Sequence, residues 1–502
     1  MIASLLLQYI ALPSLVFSAA LTKSILFEDS TIISFDEATQ TPSVLRNASL
    51  LVTNDRIAAI FNSSSNVTIP PGTERIPAHN DIISPGFIDT HRHTWQTVHR
   101  TLGSNSTIIE YLFRYSSTAL ASQIFDADVM YYSQLTGLCE ALNSGITSIV
   151  DNASGLFTEA IAKAAVNASI DSGMRTFMAY SIREGESWFP VKAQIELFRE
   201  LGSEKRVRQS LVEMGLAYEG FDGGSTEVVQ TVINLARESN ISVFETHFVG
   251  GVLGTDNSPS RLAQLGFLNE TFPIIFIHAD GLTPADLTLL RNTNQYISLV
   301  PEFELHHGQD IYNPSLALDQ ASLSVGTHYS TSGDIVSQAR IWLQTVRSWI
   351  TTPRMREFKI PVNNPMSANQ AFLLSTRSGG LALRRPDLGV IQVGAKADLA
   401  IFDGAAPGML GWRDPVAALI LHSNVGNVKH VLVDGVWKKR DGELLCGTES
   451  DLQGNFLKST RKVQQFWEEM APTVFEGANP ITGAQYVQVD QVDVVRGPLN
   501  GY

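Results

Sequence analysis

Long apolar runs are scarce in this chain. After residue 20 no stretch reaches the ~18 consecutive apolar residues that a membrane-spanning helix needs, so no membrane span is expected. Cysteine is nearly missing: Cys139 and Cys446 are the only two in 502 residues. That excludes a disulfide framework and a cysteine metal site, and leaves one pairing undecided. Positive charge is in deficit, with 36 Lys and Arg against 50 Asp and Glu and a net charge of −14. Nucleic acid or an anionic membrane surface is therefore a poor candidate for the main partner. There are no internal repeats and no glycine-rich phosphate loop. Gly379-Gly380 reads as a helix-end signal. What remains, 44% hydrophobic and 17% charged, is ordinary globular composition, long enough for a large core and a second domain.

The one concentrated apolar stretch is at the start. Met1 to Phe17 carries no charge, and Ser18-Ala19-Ala20 offers small residues for cleavage. Residues 1–20 are expected to be a secretory signal peptide, although the usual positive region is missing. Asn-x-Ser/Thr sequons at Asn47, Asn62, Asn66, Asn105, Asn152, Asn167, Asn240 and Asn269 fit a secreted or lumenal glycoprotein. Asn152, at a strand end, is the least suited to glycosylation.

Residues 21–84 read as short strands (Ile32–Phe35, Ala48–Val52, Arg56–Ile60) separated by turn-rich clusters. They hold too few apolar residues to bury a core alone. From residue 82 short apolar runs alternate with helical patterns. The runs are Ile82–Thr90, Ile146–Val150, Met174–Ala179, Leu211–Ala217, Ile241–Phe244, Pro273–Ile277, Tyr296–Val300 and Ala321–Val325. Between them Thr226–Ser239 places Val229, Val232, Ile233 and Ala236 on one face, and Thr283-Pro284 opens another helix. Eight buried strands alternating with helices predict a parallel sheet closed into a (β/α)8 barrel over residues 85–385. The connection 101–123, with Tyr111, Phe113 and Tyr115, reads as a flap over the barrel mouth. Helices are expected at Asp334–Ile350 and Ala368–Leu383. Strands return at 386–450, Gly389–Gly394, Ala397–Asp403 and Val428–Gly435, to complete the first sheet. This gives one composite β-sandwich domain from both chain ends. Residues 451–502 carry one helix, Phe456–Met470, and a tail.

The strand ends hold the chemistry. The first ends in His91-Arg92-His93, two imidazoles on one side of an extended strand. The later ends carry Asp151, Tyr180-Ser181, Tyr218-Glu219, His247, His278 and Asp280, Glu302, and His328. Neutral imidazole is the commonest side-chain metal ligand, and carboxyl ends of barrel strands are where such folds place their sites. A bare His-x-His pair is as readily a chance pair; five histidines at four strand ends point to a site.

Pro85-Gly86-Phe87-Ile88-Asp89-Thr90-His91-Arg92-His93, Gly145–Asp151 and Gly394-Ala395-Lys396-Ala397-Asp398-Leu399 resemble the metal-dependent amidohydrolase superfamily. The nearest likeness is to its cytosine-deaminase-like branch, which holds the adenosylhomocysteine deaminases and triazine chlorohydrolases. The likeness runs from about residue 24 to 445. It implies a (β/α)8 TIM barrel with a composite β-sandwich, and one divalent ion, zinc or iron, held by His91, His93 and His247. It also implies that His278 orients substrate or bound water. Two departures stand out. The branch carries His-x-x-Glu at the fifth strand, where this chain has His247-Phe248-Val249-Gly250. The eighth strand has His328 where the family has a metal-binding Asp. His328 or Asp334 is expected to complete the site, and Glu302 to shuttle protons. Glu304 reads as a solvated residue or as a second source of acid and base.

The leading expectation is a hydrolase for a non-peptide C–N bond of a small molecule, working through metal-activated water. The departures raise an alternative, a non-hydrolytic dehydration, isomerisation or cyclisation in specialised metabolism. A binding protein without turnover is the third reading. The expected partner is a small-molecule substrate; a homo-oligomer stays open.

Overall fold

The computed structural model describes residues 23–62, 67–117, 119–185, 188–254, 256–309, 318–447, 451–471, 473–480 and 482–490. The N-terminal apolar stretch and Asn66 lie outside the described residues.

Eight strands pair side by side in sequence order, all parallel: Phe87–Arg92, Ile146–Ala153, Arg175–Ile182, Val212–Tyr218, Phe244–Val249, Ile274–Asp280, Tyr296–Leu299 and Ala321–Leu323. The ring closes where the Gly326 N–H donates to the His91 carbonyl at 3.0 Å and the His93 N–H donates to the Gly326 carbonyl at 3.1 Å. Strands two, three and six are buried at every position, as a parallel sheet covered by helices requires. The helix Thr226–Glu238 is capped by Ser225, whose hydroxyl accepts from Val228 N–H at 3.2 Å, and it buries Val229, Val232, Ile233, Leu235 and Ala236. Pro284–Thr293 opens on a reciprocal cap between Thr283 and Asp286.

The second sheet has nine strands and draws on both chain ends. Ser24–Asp36, Thr41–Thr53, Arg56–Asn62, Glu74–Pro77 and Asp81–Pro85 join Leu399–Asp403, Val428–Val433, Val436–Arg440 and Glu443–Leu444. Its own core gathers Phe27, Ile32, Leu50, Ile83, Leu399 and Leu432. Barrel and sheet are tied by buried Arg175, which donates to Asp398 at 2.9 Å and to Asp434 at 2.7 Å. Cys139, on the helix Ala127–Asn143, is disulfide-bonded to Cys446, which settles the pairing the sequence left open.

The run Ile82–Thr90 is two strands. Asp81–Pro85 pairs antiparallel with Leu399–Asp403, and the barrel begins at Phe87. Gly86 makes the break: a Cβ there would lie 2.1 Å from Thr147 Oγ1. The fifth strand is Phe244–Val249 and not Ile241–Phe244, because the polar run Glu245-Thr246-His247, its first two residues buried, continues it where an apolar pattern stops. Gly379-Gly380 does not end a helix. Both lie inside Arg377–Ala382, where a Cβ on Gly379 would meet Ile88 at 2.7 Å and one on Gly380 would meet the Leu388 carbonyl at 2.4 Å. Gly379 lets this helix approach the first barrel strand, and Gly380 lets it approach the backbone at Arg385 and Leu388. Ala368–Leu383 is accordingly two helices, Ala368–Leu374 and Arg377–Ala382. The stretch 389–394 forms no strand, although Val390 and Ile391 are buried in the sheet's core.

Candidate metal centre and active site

At the carboxyl end of the barrel a cavity of about 540 Å³ is walled by His91, His93, His247 and His278, with Tyr218, Glu219, Tyr111 and Phe303 around them. That volume suits a small molecule. His91, His93 and His247 each offer a ring nitrogen, and these atoms lie within 4.8 Å of one another.

The surroundings determine which nitrogen is offered. His91 Nδ1 lies 3.2 Å from Glu245 Oε1, and Glu245 Oε2 accepts from Asn152 Nδ2 at 3.1 Å. His93 Nδ1 lies 3.2 Å from Ser154 Oγ and 3.4 Å from the Asn152 carbonyl. His247 Nδ1 lies 2.7 Å from Glu219 Oε1, while Glu219 Oε2 accepts the His247 N–H at 2.8 Å. Each Nδ1 is thus engaged from behind, which leaves Nε2 as the free nitrogen. Pinning of the second ring nitrogen by a carboxylate or carbonyl is how metal-ligating histidines are oriented. Burial, then the neighbouring imidazoles, pushes His91 and His93 well below the ordinary histidine range, so both are neutral and carry a lone pair at neutral pH. Three imidazoles with backed Nδ1 atoms fit a divalent ion.

A model of the amidohydrolase family matches residues 82–438. The chain belongs to the amidohydrolase family. It is 24% identical over 421 residues to a 5-methylthioadenosine/S-adenosylhomocysteine deaminase of Pyrococcus horikoshii, covering 82% of this chain and 94% of that one. It is 23% identical to a 5'-deoxyadenosine deaminase of Methanobrevibacter smithii, covering 87% and 99%. Among solved structures, an adenosine deaminase of Xanthomonas campestris with bound zinc aligns with a TM-score of 0.75 at 17% identity, over 88% of this chain and 99% of that one. Atrazine chlorohydrolase of Arthrobacter aurescens complexed with zinc aligns at 0.70 and 19%, over 88% and 100%. This amidohydrolase is accordingly an enzyme of the class that acts on carbon–nitrogen bonds of small molecules.

The remaining expected site residues are distributed unevenly. His278 lines the cavity, its ring 5.8 Å from that of His247 between centroids. His328 stands outside the three-histidine group. Its Nε2 lies 2.9 Å from Thr97 Oγ1, which itself donates to the Thr94 carbonyl at 2.8 Å, so His328 is spent on the turn after the first strand. Asp334 does not reach the cavity either. It caps the helix Ile335–Arg356, accepting from Val336 N–H at 3.0 Å and Ser337 Oγ at 2.9 Å. Glu302 turns away as well: its Oε2 accepts from Ser332 N–H at 2.9 Å and Gln338 Nε2 at 2.7 Å, binding two helices together. Asp151 holds Thr94 N–H and Gln134.

Glu304 is not solvated. It is 1% exposed, with Oε1 3.2 Å from His278 Nδ1. The sequence reading also passed over Glu245, Asn152 and Ser154. Glu245 had a signal: it sits two residues before His247 and so shares its side of the strand. At Gly250 a Cβ would lie 3.2 Å from the Asp280 carbonyl, tight against backbone, so a side chain there requires the sixth strand to shift. The connection after the first strand does line the cavity, through Ile108, Tyr111, Leu112 and Ser116, while Tyr115 packs outward on Trp467.

Proposed function

We propose that this protein hydrolyses a carbon–nitrogen bond of a small heterocyclic molecule, with His91, His93 and His247 holding one zinc ion and His278 facing the substrate. The observation that carries this is the convergence of three imidazoles at the cavity floor, each with Nδ1 engaged from behind. A bound divalent ion lowers the pKa of coordinated water toward neutrality. The chain's own residues do the rest. Glu245, Ser154 and Glu219 hold the ligand rings in place, and Tyr111 and Phe303, whose rings lie 5.2 Å apart, present apolar faces for a ring. Zinc is favoured over iron by its presence in the structures of the zinc-bound adenosine deaminase and chlorohydrolase. The deaminase relatives favour hydrolysis over a dehydration, isomerisation or cyclisation.

The test pairs metal analysis with ammonia release from 5'-methylthioadenosine, S-adenosylhomocysteine, 5'-deoxyadenosine and amino-triazines. About one ion per chain and turnover of one of these are expected. Failure to take up zinc, iron or manganese would overturn the reading.

We also propose passage through the secretory route. The apolar first twenty residues, the Cys139–Cys446 disulfide and the exposed sequons at Asn47, Asn62, Asn105, Asn240 and Asn269 support it. Asn152 is 1% exposed and bonded to Glu245, which excludes it as a glycan site in the folded chain. No described helix is long and apolar enough to cross a membrane. A mass loss on glycosidase treatment of protein from a eukaryotic host checks this; an unglycosylated, uncleaved chain would refute it.

A further inference from the structure

His278 sits on unusual backbone. It and Ala279 have φ of 65° and 62°, the left-handed region that non-glycine residues seldom adopt. They form a bulge in the sixth strand, where pairing with the fifth skips from His278 to Asp280. Such a conformation persists only where the surroundings enforce it. The enforcing element here is the short helix Pro301–His306. Its Phe303 stacks on the His278 ring at 5.4 Å between centroids, and its Glu304 lies against Nδ1.

The hydrogen bonds of Glu304 decide the form of the imidazole. Oε1 accepts the Val300 N–H at 2.8 Å and lies 3.2 Å from His278 Nδ1. Oε2 is buried and meets no hydrogen-bond partner among the described residues. An ionised Glu304 can only accept. A protonated one carries its proton on Oε2, because Oε1 is already taken by the backbone N–H. In both states Oε1 is an acceptor, so Nδ1 donates. Burial pushes the Glu304 carboxyl up to about 8, so both states occur near neutral pH without altering this outcome.

We propose that Glu304 is the positioning residue for His278, fixing its ring as the Nδ1–H tautomer so that Nε2 meets the cavity as a hydrogen-bond acceptor. An acceptor nitrogen is the form that can take a proton from water or substrate; a donor is not. This matters in a chain that has Gly250 and His328 where its branch carries carboxylates. The consequence for turnover rests on the hydrolytic reading above; the tautomer does not.

Two-bond ¹H–¹⁵N correlation spectra of histidine-labelled, metal-free protein read the tautomer directly, with His278→Gln assigning the signal. The wild-type signal is expected to be that of Nδ1–H with a free Nε2 lone pair. Glu304→Gln should retain it, because the amide oxygen accepts as the carboxyl oxygen does. Glu304→Leu should lose it. On the substrate that turns over, Glu304→Leu should lower kcat by ~10²-fold with KM little changed, and Glu304→Gln should restore most of it. An Nε2–H signal in the wild type, or an unchanged Nδ1–H signal in folded Glu304→Leu, overturns the proposal. Should Glu304→Leu fail to fold, the wild-type signal alone decides. Absence of turnover on every substrate counts against the hydrolytic reading, while the spectrum still judges Glu304.

Discussion

The two sides of the barrel mouth carry the same residue types and use them differently. Around strands one, five and six, His91, His247 and His278 each have Nδ1 against a glutamate and a ring that faces the cavity. Around strands seven and eight, His328, Glu302 and Asp334 spend their polar atoms on Thr97, Gln338 and a helix cap. An ionisable group at a strand end becomes part of a site only when another group holds it from behind and leaves one atom free. On the far side these groups do not line the cavity: they complete turns and caps, and the nitrogen of His328 without a partner among the described residues, Nδ1, is buried away from it.

The sharpest way to break this comparison is to remove a ligand. His91→Ala should abolish stoichiometric zinc binding and reduce turnover by ~10³-fold or more, about 4 kcal/mol of transition-state stabilisation. Metal analysis and steady-state kinetics measure both. A variant that kept its ion would place the centre elsewhere. Next is a histidine held by neither scheme. His99 is 0% exposed among the rings of Trp95, Tyr115, Phe125, Tyr329 and Trp467, and neither of its nitrogens has a partner among the described residues. Burial lowers it from 6.5 to about 3. Above pH ~6.5 neither folded nor unfolded chain protonates it, and nothing is lost. Below that the unfolded chain takes up a proton that the folded chain refuses, so stability falls as pH falls. The loss from this residue reaches about 3 kcal/mol near pH 4.5. His99→Phe should remove that part of the acid sensitivity in denaturation curves compared at about pH 7.5 and 4.5.

The barrel was legible in the sequence because its strands are apolar runs separated by capped helices, and such runs need no knowledge of contacts. Ser225 and Thr283 cap where expected for the same reason, since a cap is local. The convergence of His91, His93 and His247 was legible because strand ends converge by topology. What was hidden depends on rotamer and reach. Nothing local distinguishes Glu302 from Glu304, two residues apart on one short helix. Their opposite orientations follow from that spacing, which turns Glu304 beneath His278 and Glu302 toward Gln338. His328 looked like a ligand by position alone, and Thr97, 231 residues away, claims it. Glu245 was missed because a buried charge inside an apolar run reads as the end of a strand, although it lies beneath the site.

A milder intervention sharpens the near side. Glu245→Gln keeps an oxygen for His91 Nδ1 but turns an NH₂ toward Asn152 Nδ2, so two donors face each other. Loss of such a supporting contact costs 10–100-fold in metal affinity, and competition titration with a zinc chelator should show a loss in that range. An affinity equal to wild type would mean that Glu245 merely fills space behind the ligand.

The smallest expected effect is on the far side and is the most discriminating. Asp334→Ala removes the cap of the 22-residue helix Ile335–Arg356 and the bond to Ser337. An N-cap of this kind is worth about 1 kcal/mol, so the unfolding free energy from chemical denaturation should fall by that amount. Because Asp334 touches none of the three ligands, zinc stoichiometry and chelator-measured affinity should remain at the wild-type level. The same substitution in a chain where Asp334 folded back to the ion would give the reverse pattern, a large loss of affinity with a small loss of stability. The two measurements taken on one variant therefore separate a helix cap from a fourth ligand, and with it the structural side of the barrel mouth from the chemical one.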